Sequence, residues 1–316
     1  METRIPMSGV PAPIPSAPPS ARGWRTARVP GARELVALAL AAPLRLVRER
    51  ERLSPGVRRE LSARLNGTLL GRAWVVLAPL ATFGLYWFLF TRLLGVRLPD
   101  LPEALSSAMG VWIFTGALVW SAFAEGLARA ARSLEEGAGL IAHLAFPAEL
   151  LPLQAVLASH VLLVPGLVVF ALVCALTPLW PAPGATWLLV PLLLALQLAF
   201  TAGLAWIAAT AQVFLKDTAQ ALPLLLALLA LLTPIYWVPS TAALPALEPW
   251  LPLVELNPLH SLALAWRWAL LGGQPEALFA GAVATHVARF AAWAAAFFIV
   301  GQLVFHAQAR HLADEV

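Results

Sequence analysis

The chain holds one cysteine, Cys174, and one lysine, Lys216, among 316 residues. A single cysteine excludes an internal disulfide framework and a cysteine-based metal cluster. Its place inside an apolar run makes it a small buried hydrophobe. The single lysine excludes a Walker A phosphate loop. That loop needs Gly-Lys followed by Ser or Thr, and Lys216 follows Leu215. HExxH, GxSxG and paired Cys/His zinc spacings are missing too. Charge is scarce at 12% of residues, against about a quarter in soluble domains.

What the chain has is apolar length. Hydrophobic residues make up 60% of it, in several unbroken runs of about 20 residues, enough to cross a hydrocarbon core roughly 30 Å thick. Barrel strands would alternate, and these runs do not. The fold class expected is an all-α polytopic membrane protein. Six transmembrane helices are expected at about 73–94, 106–128, 152–177, 186–211, 219–239 and 287–307. Nearly 50 residues separate the last two. Glu248, Glu255, Asn257-Pro258 and Arg267 break them into runs that suit re-entrant or interfacial helices.

Residues 1–30 carry seven prolines among Ser, Ala and Arg and read as a disordered Pro-rich tail. Residues 31–66 read as interfacial amphipathic helices, with arginines at the headgroups and Pro43 as a kink. Ser54-Pro55 marks an N-cap and first-turn proline of a second short helix, and Asn66-Gly67 its end. The six-span domain then covers 67–316.

The net charge of +4 points to a membrane surface rather than nucleic acid, because most arginines precede the first span. Six spans put both termini on one side, which holds 17 of the 21 Lys and Arg. That side is expected to be cytoplasmic, in the cytoplasmic (inner) membrane.

Polar groups in the spans are few. His160 and His286 read as histidines hydrogen-bonded across helices more readily than as a proton relay, because no carboxylate is placed beside them. Glu125 and Arg129 have the spacing of a helical i,i+4 pair, with a place in a conduction path as the other reading of Glu125. Trp74, Tyr236 and Trp237 fit a membrane-interface belt. Tyr86, Trp112, Trp120 and Phe123 sit deeper. They are either lipid-facing packing or an aromatic lining whose flat faces suit sugar rings.

One short stretch fits no span: LIAHLAFPAELLP, Leu140 to Pro152. A helix from Glu135 to Ala145 would carry Leu140, Ile141 and Leu144 on one stripe. Pro147 would end it and Pro152 would start the third span. Phe146 would be a bulky anchor. The stripe either docks a partner or lies on its own bundle.

This stretch resembles the Leu-Ile…Phe-Pro-x-Glu-Leu-Leu-Pro segment of permease subunits of type-2 ABC exporters of the polysaccharide and polyol-phosphate group, which serve O-antigen, capsule and teichoic acid. RLNGTLLGRAWVVLAPL, MGVWIFTGALVWSAFAEGLARAARSLEEGAGLI, VFLKD, LTPIYWVPS, ELNPLHSLALAWRWALLGG and GQLVFHAQARHLADEV resemble further family segments in the same order. The likeness covers about residues 55 to 316. Leu65 stands where the family has Tyr, Thr68 where it has Ser, and Lys216 where it has Arg. Lysine keeps the charge but lacks the planar fork for a bidentate contact.

The resemblance implies a channel-forming subunit that is not itself an enzyme and carries no cofactor. ATP and Mg would be bound by a separate ABC ATPase (nucleotide-binding) subunit. Leu140, Ile141, Leu144, Phe146 and Pro147 would form a coupling segment docking on that subunit, with Lys216 and Asp217 as a second contact. Asn257 and Pro258 would belong to a periplasmic re-entrant gate. A second copy, membrane lipids and a polysaccharide, often lipid-linked, are the other partners implied. A type-2 ABC exporter permease for a lipid or drug is the alternative. An integral membrane enzyme would need a carboxylate or histidine cluster at one membrane face, which the sequence lacks.

Overall fold

The computed structural model describes residues 49–98, 108–144, 146–240, 245–273 and 283–315. The Pro-rich tail and the first interfacial segment, including Pro43, lie outside them. The described chain is helical. α1 is Arg50–Leu65, α2 Trp74–Tyr86, α3 Met109–Glu136, α4 Ala138–Leu144, α5 Leu150–Leu176, α6 Val190–Phe214, α7 Thr218–Leu232, α8 Leu251–Leu256, α9 Pro258–Leu270 and α10 Val283–Glu315. Five stretches are long and apolar enough to cross a membrane: α2 with its flanking turns, α3, α5, α6 with the turn before it, and α10. This is a multi-pass membrane protein.

α1 starts at Arg50, not at Ser54-Pro55, so the proline lies inside the helix. Asn66 ends it as expected, and Gly67 follows at φ +80°, the left-handed region that a glycine enters without strain. α2 continues into a π-helical turn, Trp87–Leu93. α7 stops at Leu232, short of the expected 239. The residue before a proline avoids the helical region, and Thr233 before Pro234 is extended. Fifteen residues rise only about 22 Å. α7 is therefore shorter than the hydrocarbon core, and the chain turns inward at Thr233.

The core sits on α3. Two thirds of its apolar window is buried, against 6% for α2, so α3 is the central helix and α2 an outer one. α3 packs on α5 and α6, and α6 packs on α10. A Cβ on Gly203 of α6 would strike the Phe297 backbone, and one on Gly301 of α10 would strike Gly203. Small residues allow this backbone approach inside a membrane, where close packing replaces the hydrophobic drive between helices. Cys174 is buried, as its setting suggested.

Candidate functional site

Three places carry the candidate residues. The first is the arginine-rich end of the bundle. α3 runs to Glu136, Gly137 breaks it, and the seven residues of α4 follow. The helix expected from Glu135 to Ala145 is thus the end of one helix and a short second one. Leu140, Ile141 and Phe146 are half-buried against a cluster that includes Leu53, Leu134, Leu151 and Trp206. Pro147 is half-buried beside them, and the Leu144 side chain lies outside the described residues. Glu149, which the sequence reading passed over, pins the segment. Its carbonyl accepts from Trp206 Nε1 at 2.9 Å, and its carboxylate lies 3.2 Å from His306 Nε2.

Lys216 and Asp217 are exposed in the turn between α6 and α7. Gln212 lies beneath this turn, buried. Its Nε2 donates to the Glu135 carboxylate at 3.1 Å and to the Lys216 carbonyl at 3.2 Å, and its Oε1 accepts from Ala219 N at 2.6 Å. The two expected contacts are joined through this side chain.

The second place is a cavity of about 370 Å³ between α2, α3 and α5. Trp74, Tyr86, Trp120, Glu125 and Tyr236 are in its wall. Trp120 and Tyr236 also line an adjoining cleft against α7. Trp74 and Tyr236, expected in an interface belt, therefore face the cavity. Tyr86 and Tyr236 stand in the same wall. Trp112 and Phe123 are fully buried in the core; Phe123 stands edge-on behind Trp120, with ring centroids 5.3 Å apart.

Glu125 does not take Arg129 as its partner. Its carboxylate pairs with the Arg64 guanidinium of α1, Oε1 lying 2.9 Å from Nη1, while Arg129 Nε donates to Glu60. Spacing within one helix suggested the i,i+4 pair, and the arginine-rich α1, packed on α5, supplies closer partners. Burial lowers the Arg64 pKa, and Glu125 and Glu60 oppose that shift.

The third place is the far end of α9. Asn257 caps α9 with its Oδ1 on Leu259 N at 3.0 Å, and its Nδ2 donates to Thr233 Oγ1 at 3.0 Å. Pro258 takes the first helical position, where its missing N–H costs nothing. The other end is capped by side chains. Thr186 Oγ1, Trp187 Nε1 and Trp180 Nε1 donate to the carbonyls of Ala269, Leu270 and Leu271. Arg267, read from sequence as one of the charges that break the apolar runs, is fully buried. It donates to the Trp112, Pro234 and Ile235 carbonyls.

One histidine differs from expectation. His160 bonds its own helix, Nδ1 to the Val156 carbonyl at 2.8 Å. His286 stacks edge-on to His260, centroids 6.0 Å apart. Among the described residues, no three His, Cys, Asp or Glu side chains converge as a metal site.

Two proteins of known family are similar over most of this length. The O-antigen export system permease protein RfbA of Myxococcus xanthus is 29% identical over 231 residues, covering 71% of this chain and 83% of that protein. One of the same name from Klebsiella pneumoniae is 28% identical over 219 residues, 68% and 78%. The description of the ABC-2 type transporter family fits residues 56–271, well over half of the sequence, and the chain belongs to that family.

Proposed function

We propose that the chain is the transmembrane subunit of an ATP-driven exporter that moves a polysaccharide, carried on a lipid, out of the cytoplasm. The observation that carries this reading is the aromatic wall of Tyr86, Trp120 and Tyr236 beside Glu125. Flat aromatic faces with hydroxyl groups suit sugar rings, because they offer apolar contact and hydrogen bonds without a fixed register. The names of the relatives from Myxococcus and Klebsiella support the same cargo.

The arginine-rich end lies in the cytoplasm of this proposal, with both termini there and the bundle in the inner membrane. ATP and Mg are bound by a separate ATPase subunit. The turn at Gly137, α4 and Phe146 dock on it, with Lys216 and Asp217 beside them. A second copy completes the path, because the cavity of one chain is open at its side and α2 is mostly exposed. The segment from Asn257 to Leu270 is a re-entrant gate at the opposite face. Its capped ends support this, since non-spanning backbone at membrane depth must be satisfied by protein.

The test is replacement of the chain in its host by Trp120→Ala plus Tyr236→Ala. Surface polysaccharide falls while the protein level in the membrane holds. Unchanged surface polysaccharide, or loss of a surface lipid instead, overturns the glycan reading.

A further inference from the structure

Gln212 ends α6 with a side chain that serves three other elements. Its amide group donates to Glu135, two residues before the Gly137 break, and to the Lys216 carbonyl. Its oxygen accepts the N–H of Ala219, the second residue of α7. That N–H is one of the orphan donors that every helix start presents. Asp217 stands at the N-cap position, yet its side chain makes no capping bond. Gln212 does the capping from a different helix.

We propose that Gln212 is the positioning residue that carries movement of the coupling segment to α7, and so to the cavity wall. This rests on the coupling role proposed above. α7 supplies Pro223, Leu226, Ala230 and Leu231 to the cleft that shares Trp120 and Tyr236 with the aromatic cavity. A force on α4 that shifts the end of α3 reaches α7 through one buried amide, instead of being lost in the exposed 215–217 turn. Glutamine suits the position for a chemical reason. It donates and accepts at once without charge. Glutamate would set a second carboxylate beside Glu135, and methionine would leave the Ala219 N–H without its acceptor.

The experiment uses the full chain with the ATPase that co-purifies with it, in proteoliposomes, and the same variants in the host. Gln212→Met keeps assembly and ATP hydrolysis, while surface polysaccharide drops about ten-fold, within the usual range of coupling between sites. Glu135→Ala removes the same link from an exposed position and lowers export in the same direction. The double variant is no worse than Gln212→Met alone. A merely structural amide would lower hydrolysis and export together. Export at the wild-type level in Gln212→Met overturns the inference. If that variant does not fold, wild-type export in Glu135→Ala overturns it. Leu140→Ala plus Phe146→Ala separates the two claims. If this pair leaves hydrolysis and export joined, the coupling role itself falls; if it breaks them and Gln212→Met does not, only the role of Gln212 falls.

Discussion

The Arg267 guanidinium lies over the Trp112 indole, 4.0 Å from the ring centroid. The ring faces a cation whose N–H groups are spent on the carbonyls of Trp112, Pro234 and Ile235. One side chain thereby ties α9 to the central helix and to the end of α7. Arg267→Met removes the guanidinium donor from all three carbonyls in a dry site, and only Trp112 keeps another, the Thr115 hydroxyl. Charged hydrogen bonds contribute about 1.5–3 kcal/mol each, so the detergent-solubilised variant melts well below wild type. Arg267→Lys does not restore it, because a point charge cannot reach three carbonyls and stack.

Gly116 makes room for that guanidinium. A Cβ there would clash with Nη2. Gly116→Ala therefore destabilises through the same contact, by about 1–3 kcal/mol as overpacking does. Combined with Arg267→Met it adds less than the sum, because the two share one interaction. Thermal melts of the two single variants and the double variant give the comparison.

Gly203 and Gly301 predict a larger effect at a different seam. Gly301→Leu forces α10 from α6 where the backbones meet. The solubilised protein then loses its melting transition or shifts it down by many degrees. Phe88→Leu, exposed on the π-helical turn that follows α2, serves as the control, with a melting temperature near that of wild type.

The clamp of α1 is electrostatic and half open to water. The Glu125 side chain is 50% exposed and that of Arg64 only 8%; the desolvation of the guanidinium offsets part of its attraction to the carboxylates, so Arg64→Gln costs about 1 kcal/mol of global stability. Its effect is local. Hydrogen exchange in peptides spanning 57–65 rises in the variant and rises in wild type at high salt. Exchange in α5 stays unchanged.

Much of the fold was legible because membrane spans are long and prolines mark their ends. Thr233-Pro234 even carried the signal that shortens α7. The pairs were less legible. Gln212 and Glu135 lie 77 residues apart, and no local spacing reports such a contact. Arg64 displaced Arg129 as the partner of Glu125 for the same reason. Trp112 and Phe123 went to the core because α3 is the central helix, its residues 109–119 buried on every side, and an apolar run does not report which of its faces other helices cover. Arg267 did carry a signal. An arginine inside LALAWRWALL is a functional or structural site by default, and charge counting alone missed it.

In the proposed exporter, the end holding α4 meets an ATPase. Gly139 is exposed on α4 and Gly184 on the turn at the other end of α5, and a Cβ fits at both without contact. The single native cysteine is buried. Gly139→Cys and Gly184→Cys, each treated with a short thiol-to-amine crosslinker in membranes, are the measurement. The account predicts an adduct with the ATPase subunit from Gly139→Cys and none from Gly184→Cys. An adduct from Gly184→Cys alone, or none from Gly139→Cys while the two proteins co-purify, would contradict it.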